Sequence, residues 1–176
     1  MTEFASAAPI FLIGYRGTGK STVARHLAER LGYDSVDADA EIERRAGKSI
    51  AAIFADNGEA AFRDLESQLV AELSGLRRSV IALGGGAVLR ESNRIAIRDA
   101  GPVVWLTAPV DVIVARLAAD PATAGRRPNL TKTGGRDEIE TLLTERTPIY
   151  GQCATLVVNT DGKTCAQVAD EIAANL

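Results

Sequence analysis

The stretch Gly14-Tyr15-Arg16-Gly17-Thr18-Gly19-Lys20-Ser21 fits the pattern G-x-x-x-x-G-K-[ST] at every fixed position. The apolar run at 9–13 before it is typical of a buried strand, and residues 21–31 after it are typical of a helix. Strand, glycine turn and helix form the setting in which this pattern binds phosphate, because glycines let backbone N–H groups curl around an anion. The stretch therefore predicts a nucleoside triphosphate site at the start of an α/β fold.

The side chains of this loop suit a polyphosphate bound together with a metal ion. A helix that begins near Gly19 directs its positive end toward the anion. Lys20 can reach the β- and γ-phosphates, and the Ser21 hydroxyl can ligate Mg²⁺. The predicted nucleotide-binding residues of the loop are Gly17, Thr18, Gly19, Lys20, Ser21 and Thr22.

Length and composition narrow the class of protein. The 176 residues are 46% hydrophobic and 24% charged, which suits one globular domain over 1–176. The net charge of −3 argues against a broad surface for nucleic acid, and no apolar run is long enough for a signal peptide or a membrane span. We therefore predict a cytoplasmic protein that binds neither nucleic acid nor a membrane, and we expect it to be a monomer.

Cysteine and histidine usage argues against the common metal motifs. Cys153 and Cys165 do not have the spacing of a metal motif, and we expect both thiols to be structural and reduced. His26 is the single histidine of the chain, so a His-rich metal site is excluded. It lies on the helix after the loop, where we expect a solvated or packing role.

Strands and helices alternate along the rest of the chain. Further strands are predicted at 33–37, 79–83, 103–106 and 155–158. Helices are predicted at 39–47, 49–54, 59–77, 91–100, 110–118 and from about 164, with a turn at Asn57-Gly58. Nearly continuous apolar strands in such an alternation indicate a five-stranded parallel sheet covered on both faces, a three-layer α/β/α sandwich.

The stretch 120–135 departs from this alternation. It contains two prolines and three glycines and has little periodicity. A polar segment of this length within a compact domain is usually functional or disordered. The sequence Arg126-Arg127-Pro128 favours a lid that closes over phosphate, because phosphoryl transfer needs cations at the migrating group and the exclusion of water.

Two carboxylates lie at the end of the second predicted strand, where open α/β sheets bind ligands. Alternation along an extended segment places the side chains of Asp37 and Asp39 on the same side. Such a pair could hold Mg²⁺ through water and accept a proton from an attacking hydroxyl group. Asp39 could also simply cap the helix that follows.

Arginines and glycines farther along suit an anionic acceptor. Arg63 lies three residues before Glu66 on a predicted helix, so the carboxylate can orient the guanidinium, although a surface ion pair has the same spacing. Gly84-Gly85-Gly86 after the third strand offers bare backbone for the close approach of a ligand. Arg146, just before Pro148, is a further candidate for binding an anionic group.

Together these motifs resemble the shikimate kinase family. The six matching motifs are the phosphate-binding loop, Asp37-Ala38-Asp39, Phe62-Arg63-Asp64, Gly84-Gly85-Gly86, Arg127-Pro128 and Arg146-Thr147-Pro148-Ile149-Tyr150. The resemblance runs from about residue 10 to the end. It implies a P-loop kinase with a fold like that of nucleoside monophosphate kinases, a substrate-binding helical segment at about 38–66 and a lid at about 120–135. It also implies transfer of the γ-phosphoryl group of ATP to the 3-hydroxyl of shikimate, with Mg²⁺ as cofactor.

The resemblance assigns roles to the residues that match. The catalytic residues would be Asp39, Lys20 and Arg127, with Arg126 as the alternative lid arginine. Shikimate would be bound by Asp39, Arg63, Gly84, Gly85, Gly86 and Arg146. ATP would be bound by the loop residues together with Arg127 and Arg116, the latter on the adenine side with the loop at 160–163. Mg²⁺ would be held by Ser21 and, through water, by Asp37.

Other functions share the phosphate-binding loop. One alternative is a kinase of another hydroxy acid such as gluconate, although the histidine-bearing motifs of gluconate kinases are absent. The other is a nucleotide-dependent binding module, although the Asn-Lys-x-Asp motif of GTPases is absent. Two departures from the family pattern stand out, because Leu83 replaces a frequent threonine and Arg16 has no role that the sequence assigns.

Overall fold

A parallel sheet lies at the centre of the molecule. The computed structural model describes residues 7–120 and 134–176. Its strands are β1 (Ile10–Ile13), β2 (Asp34–Asp37), β3 (Ser79–Ala82), β4 (Val103–Thr107) and β5 (Leu156–Asn159). The helices of the described residues are α1 (Lys20–Leu31), α2 (Ala38–Ala46), α3 (Ile50–Leu73), α4 (Glu91–Ala100), α5 (Val110–Ala119), α6 (Gly135–Cys153) and α7 (Cys165–Asn175), with a 3₁₀ helix at Ala87–Leu89.

The strand order is β2-β3-β1-β4-β5, and all neighbouring strands are parallel. In the central strand β1, Leu12 pairs with Ala82 on one side and with Val104 on the other. The predicted five-stranded parallel sheet is thus confirmed. The chain after β1 continues into α1 on one face of the sheet, whereas the chain after the neighbouring strand β3 continues into α4 on the other face. A crevice therefore opens between the carboxyl ends of β1 and β3, where ligands bind in open α/β folds.

Alternate side chains of β1 enter two halves of the core. Phe11 and Ile13 pack in the cluster that includes residues of α3 and α4, whereas Ile10 and Leu12 pack with residues of α1 and α7. All four are at most 4% exposed. Because each fully buried side chain of this kind contributes about 1.5–3 kcal/mol, β1 is firmly held, and the loop that leaves it starts from a rigid point.

The structure refines two of the predicted helices. The turn expected at Asn57-Gly58 is a break within α3, where Gly58 has a φ of 82° and helical residues continue on both sides. A φ in this region favours glycine because side chains with a Cβ clash there. The same helix ends at Leu73 rather than Arg77, since the chain turns at Ser74 and Gly75.

Helix α6 was not predicted from the sequence. It contains Pro148, which cannot donate the backbone hydrogen bond of a regular helix and argues against a helix in a sequence pattern. The residues that α6 buries lie three or four positions apart and give the signal that could have revealed it. They are Glu138, Ile139, Leu142, Arg146, Tyr150 and Cys153.

Two further sequence predictions concern the cysteines and the membrane. Cys153 and Cys165 are free thiols, and burial raises the pKa of the Cys153 thiol. Of the helices in residues 7–120 and 134–176, none has the length and apolar character that crossing a membrane requires.

Candidate active site

A cavity of about 300 Å³ lies at the carboxyl ends of the strands, between the phosphate-binding loop and α6. Most of the residues predicted for the site line it. They are Gly17, Gly19, Lys20, Ser21, Thr22, Asp37, Asp39, Gly84, Gly85, Arg116 and Arg146. Arg126 and Arg127, and most of the predicted lid, lie outside the described residues.

The phosphate-binding loop arches over the start of α1. Gly17 and Gly19 have φ values of 81° and 90°, which let the backbone turn where a side chain would be strained. Lys20 Nζ donates to the carbonyl oxygens of Gly14, at 2.8 Å, and Tyr15, at 2.9 Å. Thr18 lies inside the loop, where its hydroxyl donates to the Tyr15 carbonyl at 2.7 Å. The loop is therefore tied together by its own side chains.

The two aspartates differ in position from the sequence prediction. Strand β2 ends at Asp37, so Asp39 lies in the first turn of α2 and strand alternation does not apply to it. The helix cap is Asp37, whose carboxylate accepts from the Ala40 N–H at 3.0 Å. Its other carboxylate oxygen accepts a short hydrogen bond from the Ser21 hydroxyl. Asp37, Asp39 and Ser21 nevertheless line the same cavity.

Arg63 is held by two carboxylates beside the cavity. Its side chain is 7% exposed, with Nη1 2.7 Å from Glu66 Oε2 and Nη2 3.2 Å from Glu59 Oε1. The pairing with Glu66 confirms the predicted i, i+3 contact, and Glu59 adds a partner that the sequence analysis missed. Arg63 is not among the cavity's lining residues, but its guanidinium packs directly against Gly86, the neighbour of Gly85.

Arg146 projects from α6 into the cavity, and among the described residues it forms no ion pair with an acidic side chain. It is 5% exposed, and within residues 7–120 and 134–176 no group accepts a hydrogen bond from it. Its Nη1 would lie 3.6 Å from a Cβ atom placed on Gly85. A buried charge costs several kcal/mol unless an opposite charge compensates it. The cavity therefore offers this guanidinium to an anion from outside the described protein.

Helix α6 also holds the glycine turn after β3. The Tyr150 hydroxyl donates to the Gly85 carbonyl at 2.5 Å, while Arg146 lies on the cavity side of the same helix. Gly85 leaves little room for a side chain, because a Cβ atom there would meet the Gly14 carbonyl at 3.3 Å. The glycine turn, the phosphate-binding loop and α6 thus meet at one point.

Arg116 connects α5 with two loops at the other end of the cavity. Its Nη1 donates to the Gly17 carbonyl at 3.2 Å and to Thr160 Oγ1 at 2.9 Å, and its Nη2 donates to the Thr160 carbonyl at 3.1 Å. Arg116 therefore lies against Thr160, the first residue of the loop at 160–163.

The sequence analysis missed several residues of the cavity wall. Glu138 and Leu142 face it at four-residue steps from Arg146, a helical spacing that would have revealed them had α6 been predicted. Tyr15 is also buried here, and burial raises the pKa of its phenol while the Arg16 guanidinium acts in the opposite direction.

Comparison with known proteins agrees with this geometry. Residues 16–176 match the family model for shikimate kinase. This chain belongs to the shikimate kinase family. A shikimate kinase of Rhodopirellula baltica is 47% identical over 93% of this chain and 87% of its own length. The solved structure of a shikimate kinase from Acinetobacter baumannii in complex with shikimate is 35% identical, has a TM-score of 0.89, and covers 97% of this chain and 93% of its own.

The family confirms the predicted enzyme class and fold. The chain is a kinase with ATP as co-substrate, and its sheet and helices match those of solved shikimate kinases. A gluconokinase from Sinorhizobium meliloti is similar in fold alone, at 20% identity and a TM-score of 0.62 over 95% of this chain and 90% of its own. The gluconate alternative therefore has no support beyond the fold.

Proposed function

We propose that this kinase transfers the γ-phosphoryl group of ATP to the 3-hydroxyl of shikimate, giving shikimate 3-phosphate and ADP. The observation that carries the proposal is Arg146, a guanidinium that is 5% exposed, lines the cavity and has no anionic partner among the described residues. A carboxylate matches this group well, because a planar guanidinium can form two parallel hydrogen bonds with it. Shikimate carries one carboxylate away from the hydroxyl that would react.

The phosphate-binding loop supports ATP as the donor. Backbone N–H groups at the start of α1 and the positive end of the helix would bind the β- and γ-phosphates. Lys20 would exchange its contacts with loop carbonyls for phosphate oxygens and stabilise the charge that develops there. Arg116 and the loop at 160–163 would border the adenine. Arg127 would close over the phosphates, as the family pattern implies.

Ser21 and Asp37 have the chemistry to hold Mg²⁺. The Ser21 hydroxyl is hydrogen-bonded to the Asp37 carboxylate in the cavity. Both groups offer oxygen atoms, which are the ligands that Mg²⁺ prefers. The described residues contain no group of three or more His, Cys, Asp or Glu side chains placed to hold a metal, so water and phosphate oxygens would complete the shell. When bound, Mg²⁺ would neutralise charge on the phosphates.

We propose that Asp39 acts on the acceptor hydroxyl. It lines the cavity from the first turn of α2, and the loop that would hold the γ-phosphate lines the same cavity. From there its carboxylate could position the hydroxyl and accept its proton as the new phosphate ester forms.

Asp39→Asn is expected to lower kcat about tenfold or more, because asparagine keeps the shape but not the basicity of the carboxylate. Thermal stability should change little, since Asp37 rather than Asp39 caps α2. Asp170→Asn is the matched control, because Asp170 is exposed and pairs with Arg30 far from the proposed chemistry. A variant of Asp39 with normal kcat and a lower Tm would show a structural role only.

Arg63 would support shikimate binding from beside the cavity. Arg63→Lys keeps the charge but loses the planar fork, so we expect the KM for shikimate to rise about tenfold, the equivalent of one charged hydrogen bond. The KM for ATP should change far less, because the phosphate-binding loop is separate. Steady-state kinetics with each substrate varied in turn measures both effects, and an equal change in both constants would contradict this role.

Gly86→Ala tests the same role without changing Arg63 itself. Gly86 has a φ of −100°, which alanine tolerates, but its new Cβ atom would lie 2.7 Å from Arg63 Cζ. We expect the displaced guanidinium to raise the KM for shikimate as Arg63→Lys does. Gly151→Ala is the control, since the nearest atom to its Cβ would be 3.9 Å away.

A coupled assay of ADP release tests the proposed function. The kinase is supplied with ATP and Mg²⁺ and with shikimate, gluconate or water as acceptor. We expect rapid turnover with shikimate and only background rates with gluconate or water. Equal rates with and without shikimate would indicate a nucleotide-dependent module, and a preference for gluconate would indicate the other kinase class.

We propose one domain over 1–176, with a substrate-binding helical segment at about 38–66 and a lid at about 120–135. The helices α2 and α3, which supply Asp39 and Arg63, support the assignment of the first segment. The net charge of −3 supports small-molecule partners over nucleic acid. A monomeric state and a cytoplasmic location remain predictions.

A further inference from the structure

Arg16, to which the sequence assigned no role, reaches across the cavity wall to α6. Its Nη2 donates to Glu138 Oε1 at 3.2 Å, between residues that are 122 positions apart in the chain. Its guanidinium lies 5.8 Å from the centre of the Tyr15 ring. Arg16 and Glu138 both line the cavity that holds the proposed site.

Glu138 is more deeply buried than an ordinary surface partner. Its side chain is 1% exposed and that of Arg16 is 23% exposed. Removing a carboxylate from water this completely costs several kcal/mol, which nearby positive charge must offset. The energy of this ion pair therefore depends on the relative positions of the loop and the helix. The exposed pairs on the surface of this protein are screened by water and depend on position much less.

The two partners belong to the two elements that would bind the two substrates, ATP and shikimate. Arg16 precedes Gly17 in the loop proposed to bind the phosphates of ATP. Glu138 lies eight residues before Arg146 on α6, and the same helix supports Gly85 through Tyr150. A displacement of α6 relative to the loop would move the proposed carboxylate site relative to the γ-phosphate.

We propose that Arg16 is a positioning residue, which through its ion pair with Glu138 sets the distance between the phosphate-binding loop and Arg146. This inference rests on the proposed function and deepens it. Reacting groups must be held close together and aligned, and a displacement of about 1 Å can cost on the order of a hundredfold in rate. Arg16 thus acts on catalysis through Glu138 and α6 rather than by contact with the substrate.

A double-mutant cycle tests the proposal. The variants are Arg16→Met, Glu138→Gln and the double variant, each assayed for kcat, for the KM of ATP and shikimate, and for Tm. We expect each single variant to lower kcat about tenfold, and the double variant to be no worse than the poorer single variant, because both changes break one interaction. The double variant removes the charges of both partners together, so it is measurable even if Arg16→Met folds poorly. Arg16→Lys, which keeps the charge, should recover most of the lost kcat.

Arg136→Met is the matched control, because Arg136 lies on the same helix as Glu138 and forms exposed ion pairs with Asp111 of α5 and Glu140 of α6. Its kcat should stay within about twofold of the unmodified enzyme. Losses that multiply in the double variant, to about a hundredfold, would show independent roles and overturn the proposal. A lower Tm with unchanged kcat in all variants would overturn it as well. Failure of the unmodified enzyme to phosphorylate shikimate would instead refute the proposed function.

Discussion

Lys20→Ala is expected to lower kcat by about a thousandfold or more, because positioning and neutralising the transferring phosphoryl group is most of what such an enzyme contributes. Lys20 lies at the first residue of α1 and lines the cavity, with its ammonium group on the loop carbonyls of Gly14 and Tyr15. Turnover with saturating ATP and shikimate measures the effect.

Arg30→Ala provides the control for this experiment. It removes one positive charge from the same helix, but Arg30 is exposed and pairs with Asp170 at 2.9 Å. Its fold should be retained, since exposed ion pairs contribute about 1 kcal/mol or less to stability. Its kcat should be nearly normal, because neither Arg30 nor Asp170 lines the cavity. Near-normal turnover in a folded Lys20→Ala variant would contradict the proposed role of the phosphate-binding loop in phosphoryl transfer.

Arg146→Met is expected to raise the KM for shikimate by about a hundredfold or more. Two hydrogen bonds from a guanidinium to a carboxylate contribute about 1.5–3 kcal/mol each, and each 1.4 kcal/mol is a factor of ten in affinity. The KM for ATP should change by less than about threefold, because Lys20 and the loop bind the phosphates separately. Initial rates with each substrate varied at saturation of the other give both constants.

Most substitutions in a protein core lower stability, but Arg146→Met should leave it unchanged or raise it. Arg146 is 5% exposed and carries a charge that no described residue neutralises. Replacing a buried, uncompensated charge with an apolar side chain of similar length is neutral or stabilising. We therefore expect an unchanged or higher Tm, measured without substrate. A large fall in Tm with an unchanged KM would mean that Arg146 supports the fold and does not bind shikimate.

Local sequence patterns were enough to predict the sheet and the phosphate-binding loop. The apolar run at 10–13 is short and lies between Pro9 and Gly14, which favours a buried strand over a helix. The glycine spacing of the loop has a direct backbone cause. The boundary after β2 was harder to predict. No residue separates strand from helix there, because β2 ends at Asp37 and α2 begins at Ala38. By sequence either aspartate was a candidate for the helix cap, and in the structure the cap is Asp37.

The contents of the site depended on contacts that a sequence pattern does not record. The spacing of Arg63 and Glu66 predicted their ion pair, but not its burial or the additional contact with Glu59. The sequence identified Arg146 as an anion-binding candidate, but only the folded cavity shows that no acidic side chain of residues 7–120 and 134–176 pairs with it. Arg16 and Glu138 are far apart in the chain, and Glu138 lies on α6. This helix was not predicted because Pro148 argues against a helix in a sequence pattern.

We propose that Arg146 binds the carboxylate of shikimate during phosphoryl transfer. The most direct measurement compares kcat/KM for shikimate and for its methyl ester, in the unmodified enzyme and in Arg146→Met. We predict that the unmodified enzyme prefers shikimate by about a hundredfold or more, and that the variant loses at least about tenfold of this preference, because the ester cannot accept a charged pair of hydrogen bonds. An equal preference in both proteins, or none in the unmodified enzyme, would contradict the claim.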